Sequence, residues 1–172
     1  MTAQNTGIQP QKTSSMFALH GGLRGVSLFL VAIGLLICGY LVYVQTTNAE
    51  IVCAADGGAG CDIVQNSIYA EIFGIKIAYL GFTAYAVLGA LIAFEQRIPF
   101  LRDYGLLITF VLVTLGFIYS VYLVYIQAVV LQAFCQWCLG HEAVMTLLFT
   151  ITSIRLWQSF NVDGDFDEEL AE

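Results

Sequence analysis

The stretch Val26–Val44, VSLFLVAIGLLICGYLVYV, carries no charged side chain. Wound as a helix it matches the roughly 30 Å of hydrocarbon that about 20 apolar residues cross. Three further runs of similar character follow, at Ile77–Phe94, Tyr104–Val130 and about Ala133–Trp157, the last interrupted by His141 and Glu142. Apolar residues make up 59% of the chain and charged residues only 11%, which leaves too little polar surface to coat a soluble bundle of four such helices. A secretory signal would start nearer the N-terminus and lead to a small-residue cleavage site, so the first run reads as a retained helix. The expected fold is an all-α membrane protein: a four-transmembrane-helix bundle with a short interfacial helix between helices one and two.

The connections divide the chain. Residues 1–23 form a polar head, with Met1–Ser15 expected to be unstructured. Residues 24–157 are expected to form one membrane domain with helices at about 24–44, 77–94, 104–130 and 133–157 and an outer loop at 45–76, and residues 158–172 an acidic tail. Five of the six basic residues, Lys12, Arg24, Arg97, Arg102 and Arg155, fall on one side of the expected spans. By the positive-inside tendency that side is cytoplasmic, so both termini are expected there and the loop 45–76 at the periplasmic or exterior face of the cell membrane. Six of the thirteen acids behind the net charge of −7 lie between Asp163 and Glu172. They read as a solvated, disordered tail, and the charge gives no footing for nucleic acid.

Within the loop, Ala54–Gly60 is rich in small residues between Cys53 and Cys61 and reads as a mobile connection. From Cys61 to Phe73 the apolar spacing suggests a helix lying over the bundle, with Ser67 as a partial cap and Gly74 as a stop. In the second run, Gly81, Gly89 and Ala93 form a narrow stripe suited to close helix packing. Pro99 breaks the chain between helices two and three.

Chemistry concentrates in the cysteines. Cys135-Gln136-Trp137-Cys138 opens the fourth run, and two thiols at that spacing on a helix start can close a small disulfide ring, while free amides there favour a thiolate. Cys53 and Cys61 supply a second pair at the same face. The same four sulfurs, with His141 in place of one of them, would also suit zinc, although the glycine-rich loop between Cys53 and Cys61 is unlike a tight zinc knuckle. A disulfide that merely braces the loop of a structural or transport subunit is a further alternative. Cys38, alone within the first run, reads as a small hydrophobe. His141 and Glu142 lie three and four residues past Cys138, where Glu142 can relay a proton and His141 can stabilise a thiolate; the alternative is that both, about one turn below the helix start, simply reach water at the interface.

Taken in order, Cys61-Asp62-Ile63-Val64-Gln65-Asn66-Ser67-Ile68-Tyr69-Ala70-Glu71-Ile72-Phe73-Gly74-Ile75, then Gly81, then Phe134-Cys135-Gln136-Trp137-Cys138-Leu139 resemble the vitamin K epoxide reductase family, in particular its bacterial disulfide-forming members. The resemblance covers about Arg24–Trp157. It implies a helix bundle around a quinone, ubiquinone or menaquinone. Cys53 and Cys61 would be the shuttle pair, Cys135 the resolving member of the inner pair, and Cys138 the sulfur facing the quinone. It places Ser67 near the site and Phe73 on the helix covering it. In the vertebrate members the asparagine that contacts the vitamin's carbonyl aligns with Ala70, and the tyrosine four residues past the second CxxC cysteine aligns with Glu142; loss of both polar partners argues against vitamin K epoxide as the substrate. The resemblance also implies electron flow from a separate periplasmic or extracellular thioredoxin-fold oxidase, through the loop pair and the CxxC pair, to quinone. Because Cys61 is tethered to the expected interfacial helix, Cys61 is expected to capture the partner and Cys53 to swing inward.

Overall fold

A computed structural model describes residues 11–49, 51–53 and 59–170, with side chains placed at 21–49, 51–53, 59–102 and 104–160. Most of the glycine-rich connection expected to be mobile, residues 54–58, lies outside the described residues, as do residues 1–10. The elements are α1 (Gln11–Thr47), α2 (Ala59–Gln65), a 3-10 turn (Ile68–Ala70), β1 (Glu71–Ile72), β2 (Ile75–Lys76), α3 (Ile77–Phe94), α4 (Pro99–Tyr125), a π-helical turn (Ile126–Leu131) and α5 (Gln136–Leu170). Among the described residues four segments are long and apolar enough to cross a membrane: Gly21–Thr47, Ile77–Phe94, Tyr104–Leu131 and Gln136–Phe160.

The protein is an all-α four-helix membrane bundle in which α1 packs on α3, α3 on α4, α4 on α5, and α5 back on α1. Glycines let α1 and α3 approach closely. A Cβ on Gly34 would lie 2.4 Å from the ring of the buried Tyr85. On α3, Gly81 faces the Cys38 sulfur and Gly89 faces Val31. The stripe read from the sequence is therefore the α1 contact face. On the opposite seam, Phe117 and Phe149 stack with centroids 4.7 Å apart, and Met145 fills the space over Gly116.

Three readings need correction. The helix expected over Cys61–Phe73 stops at Gln65. The Asn66 amide bonds the Asp62 carboxylate (2.9 Å) across the last turn, and the Ser67 hydroxyl donates to the Val64 carbonyl (2.8 Å), taking an acceptor that a further helical turn would use. The chain continues as a two-residue hairpin pairing Glu71 with Lys76, closed by Phe73 and Gly74 at φ +52° and +78°, the positive pair that a type I′ turn needs. At the two ends, α1 begins at Gln11 and α5 runs to Leu170, so helix occupies backbone expected to be unstructured in the head and disordered in the acidic tail. Once a helix is nucleated by the packed spans, each further residue gains one hydrogen bond against the entropy of fixing it.

The end of the bundle away from the cysteines is tied by arginines. Arg24 donates to the carbonyls of Ile92 and Ala93 (3.1 and 3.0 Å), which lack helical partners at the end of α3. Arg155, only 1% exposed, holds both carboxylate oxygens of Glu95 at 2.9 and 3.0 Å. Removing one member of so buried a pair leaves an uncompensated charge. Glu95→Ala is expected to destabilise the purified protein by about 3–5 kcal/mol, while Glu95→Leu with Arg155→Met recovers most of that loss. Reversible unfolding by detergent titration measures both.

Candidate functional site

The Gly60 end of α2 presses on the chain entering the CxxC: a Cβ on Gly60 would come within 2.7 Å of the Phe134 carbonyl oxygen. Cys61 follows, 2% exposed, and is joined to Cys53 by a disulfide with Cα atoms 6.7 Å apart. The Cys53 arm is clamped as well. Val52 donates its N–H to the Tyr40 hydroxyl (3.0 Å), and its carbonyl accepts from the Trp137 indole (2.9 Å) and the Gln136 amide (3.3 Å). Tyr40 and Trp137 pack with ring centroids 4.5 Å apart. The described ends of this loop are thus held by α1 and by the two residues inside the CxxC.

The inner pair depends on the end of the π turn. Gln127 is buried, and its backbone carbonyl accepts the N–H groups of Gln132 and Ala133. Its side-chain oxygen accepts the N–H of Cys135 at 3.0 Å. Gln132 adopts a left-handed conformation (φ +49°), the chain runs irregularly to Cys135, and the Cys135 carbonyl then accepts the Leu139 N–H (3.0 Å) to start α5. Cys135 is fully buried, and both inner cysteines are free thiols. A hydrogen bond from the Cys138 thiol holds the Cys135 thiol below the usual thiol range; burial opposes this, and the amides of Cys138 and Trp137 and the Gln65 side chain assist it.

Cys138 lines an apolar cavity beneath the segment 64–70, with about 740 Å³ of open space including its mouth. α1 contributes Cys38 and Leu41, α3 contributes Ala78 and Gly81, and α4 contributes Leu123 and Val124. Among the residues singled out from the sequence, Ser67, Cys138, His141 and Glu142 meet at this cavity. The Ser120 hydroxyl donates to the Glu142 carboxylate, and the His141 ring sets edge-on to Tyr85 with centroids 5.5 Å apart. Phe73 does not join them. It stands at the hairpin tip, fully exposed, because the helix meant to carry it over the pocket ends eight residues earlier, at Gln65.

Sequence reading left Gln65, Ser120 and Gln127 without a role, and Cys38 as packing alone. Polar side chains inside an apolar run, such as Ser120 and Gln127, were the available signal. Gln65 lay in plain view between Cys61 and Ser67, but nothing in its spacing revealed that it reaches the inner sulfurs. Two of the four sulfurs that zinc would require are joined in the Cys53–Cys61 bond.

Apolar walls, a thiol at one side and a few hydroxyl, amide and carboxyl groups suit a flat ring that is apolar except for its carbonyl oxygens. A sequence profile of the vitamin K epoxide reductase family matches residues 26–153. Among curated proteins, the thiol-disulfide oxidoreductase LTO1 of Arabidopsis thaliana is 31% identical over 132 residues, which make up 73% of this chain and 35% of that protein. The chain thus spans about a third of that relative's length. With the four-helix bundle, the paired cysteines and a profile match across all four spans, the chain belongs to the vitamin K epoxide reductase family.

Proposed function

We propose that this protein is a quinone-dependent thiol oxidoreductase, a protein-dithiol:quinone oxidoreductase that reoxidises a separate thioredoxin-fold disulfide-forming protein. One observation carries the reading. Two thiol pairs lie in succession, the loop disulfide against the chain entering the CxxC, and Cys138 on the wall of an apolar cavity.

The exchange steps follow from access. Cys53 is partly exposed and Cys61 is buried, so the partner's thiolate attacks Cys53 and expels the Cys61 thiolate. The partner's second thiol then breaks the mixed disulfide, and the partner leaves oxidised with the loop pair reduced. Cys61, beside the Gly60–Phe134 contact, attacks Cys135 of the oxidised inner pair and expels Cys138 as the thiolate; Cys53 then attacks Cys61 and releases Cys135. This reverses the order expected from tethering alone, because α2 points Cys61 inward. A quinone held in the cavity would supply the two-electron, two-proton sink that turns the two inner thiols into one disulfide. Cys138 and the buried Cys135 stand side by side for that closure. Ser67, His141 and Glu142 line the cavity and would meet its polar groups, and the Glu142 carboxyl, oriented by Ser120, is the group placed to hold a proton there.

Both termini lie in the cytoplasm and the thiol pairs at the outer face. Arg24 and the Glu95–Arg155 pair mark the inner end, in keeping with the excess of basic residues there.

Cys135→Ala and Cys138→Ala are each expected to abolish dithiol-driven quinone reduction, whereas Cys38→Ala retains it; a bracing disulfide would leave the inner pair dispensable. Glu142→Gln is expected to slow turnover by about 10²-fold. In trapping assays the Cys61→Ser variant should hold the partner as a stable adduct on Cys53, and an adduct captured instead by Cys61 in the Cys53→Ser variant would restore the tethering order. With the four site cysteines replaced by serine, Asn5→Cys should resist an impermeant maleimide in intact cells and react after permeabilisation. Reaction in intact cells would reverse the orientation.

A further inference from the structure

Gln65 ends α2, four residues after Cys61 and so on the same helix face. Its amide nitrogen lies 3.7 Å from the Cys138 sulfur and 4.0 Å from the Cys135 sulfur, within donor range for sulfur. Its amide oxygen accepts a hydrogen bond from the Gln45 side chain near the end of α1. The residue also separates two spaces. On one side is the apolar cavity with Cys138; on the other is a polar cleft shared with Gln45, Asn48, Asp62, Asn66 and Lys76. The Gln45 side-chain oxygen is buried and, among the described residues, has no hydrogen-bond partner.

We propose that Gln65 is a catalytic residue of the inner thiol pair, donating its amide hydrogens to the Cys135 and Cys138 sulfurs, and that Gln45 is the positioning residue that keeps those hydrogens turned toward sulfur.

The argument is electrostatic. A thiolate beside an apolar cavity has lost its hydration, and fixed donors are the means of retaining its charge. An amide has two unlike ends. Turned around, Gln65 would set its oxygen against the sulfur and leave the Gln45 and Gln65 amino groups facing each other. The Gln45 donor, as it is oriented here, disfavours that arrangement, and by polarising the Gln65 amide it strengthens the opposite N–H groups. Because Cys61 and Gln65 share α2, the helix that delivers the attacking sulfur also delivers the donor for the sulfur that leaves.

The inference deepens the thiol-redox reading and needs no quinone, so its test omits quinone. The full-length chain with Cys53→Ser and Cys61→Ser, purified and reduced in detergent, is titrated by thiolate ultraviolet absorbance, and the same protein with Cys135→Ser is subtracted. The parent midpoint is expected below that of an ordinary thiol, with thiolate present above it and lost as pH falls through it. Gln65→Leu should raise the midpoint by about one pH unit. Gln65→Glu, which replaces the donor by a carboxylate, should raise it further, and Gln45→Leu should move it the same way by less. Asn66→Leu, altering the neighbouring residue on the cleft, should leave it in place. An unchanged midpoint in Gln65→Leu, or an equal shift in Asn66→Leu, overturns the proposal. Should Gln65→Leu fail to fold, an unchanged midpoint in Gln45→Leu overturns it equally. Loss of quinone turnover alone bears on the quinone reading and leaves these midpoints where they are.

Discussion

Hydrocarbon offers no hydrogen-bond partner to a peptide group, and much of this architecture follows from that constraint. The four spans are continuous helices because each closes its own N–H and C=O groups. Irregular backbone is confined to the ends. The break between α4 and α5 is the instructive case, since residues 132–135 leave helical geometry immediately beside the reactive sulfur. Gln127 makes it tolerable: the backbone carbonyl of this one buried residue takes two N–H groups and its side chain takes that of Cys135. A chain that needs a strained turn at its thiol has supplied the missing partners from within its own span.

The two ends of the bundle solve different problems. At one end, charge is locked: Arg24 covers free carbonyls of α3, and Arg155 is paired with Glu95 under α4. Nothing there needs to move. At the other end the ties are neutral hydrogen bonds through Val52, Gln45 and Gln65, weaker than charge pairs and more readily exchanged. Thiol–disulfide exchange requires sulfur atoms to change partners, and a set of neutral contacts permits it.

The clamp on Val52 also links the two cysteine pairs. Trp137, inside the CxxC, holds the carbonyl next to Cys53, while Gln65, on the helix of Cys61, reaches the CxxC sulfurs. Each pair therefore helps to position the other. A change in the bonding of one pair alters contacts that orient its neighbour, which is a physical basis for ordered exchange.

Sequence alone determined the class of this protein, because span length and apolar content depend on composition and the membrane imposes one solution. The spacing of Cys135 and Cys138 and the order of motifs around Cys61 identified the chemistry for the same local reason. The glycine stripe on α3 was legible too, since Gly81 and Gly89 permit an approach that larger residues forbid. Tertiary structure decided the rest. The chain left helical geometry after Gln65, where the apolar spacing would have continued it and where the Ser67 hydroxyl takes the Val64 carbonyl, so Phe73 stands outside the pocket that Gln65 lines. Gln45, Gln127 and Ser120 acquired partners 20, 8 and 22 residues away. Periodicity reports which face of one helix is apolar; it contains no information about which polar atom on another segment completes a buried hydrogen bond, and that pairing is what assembles this site.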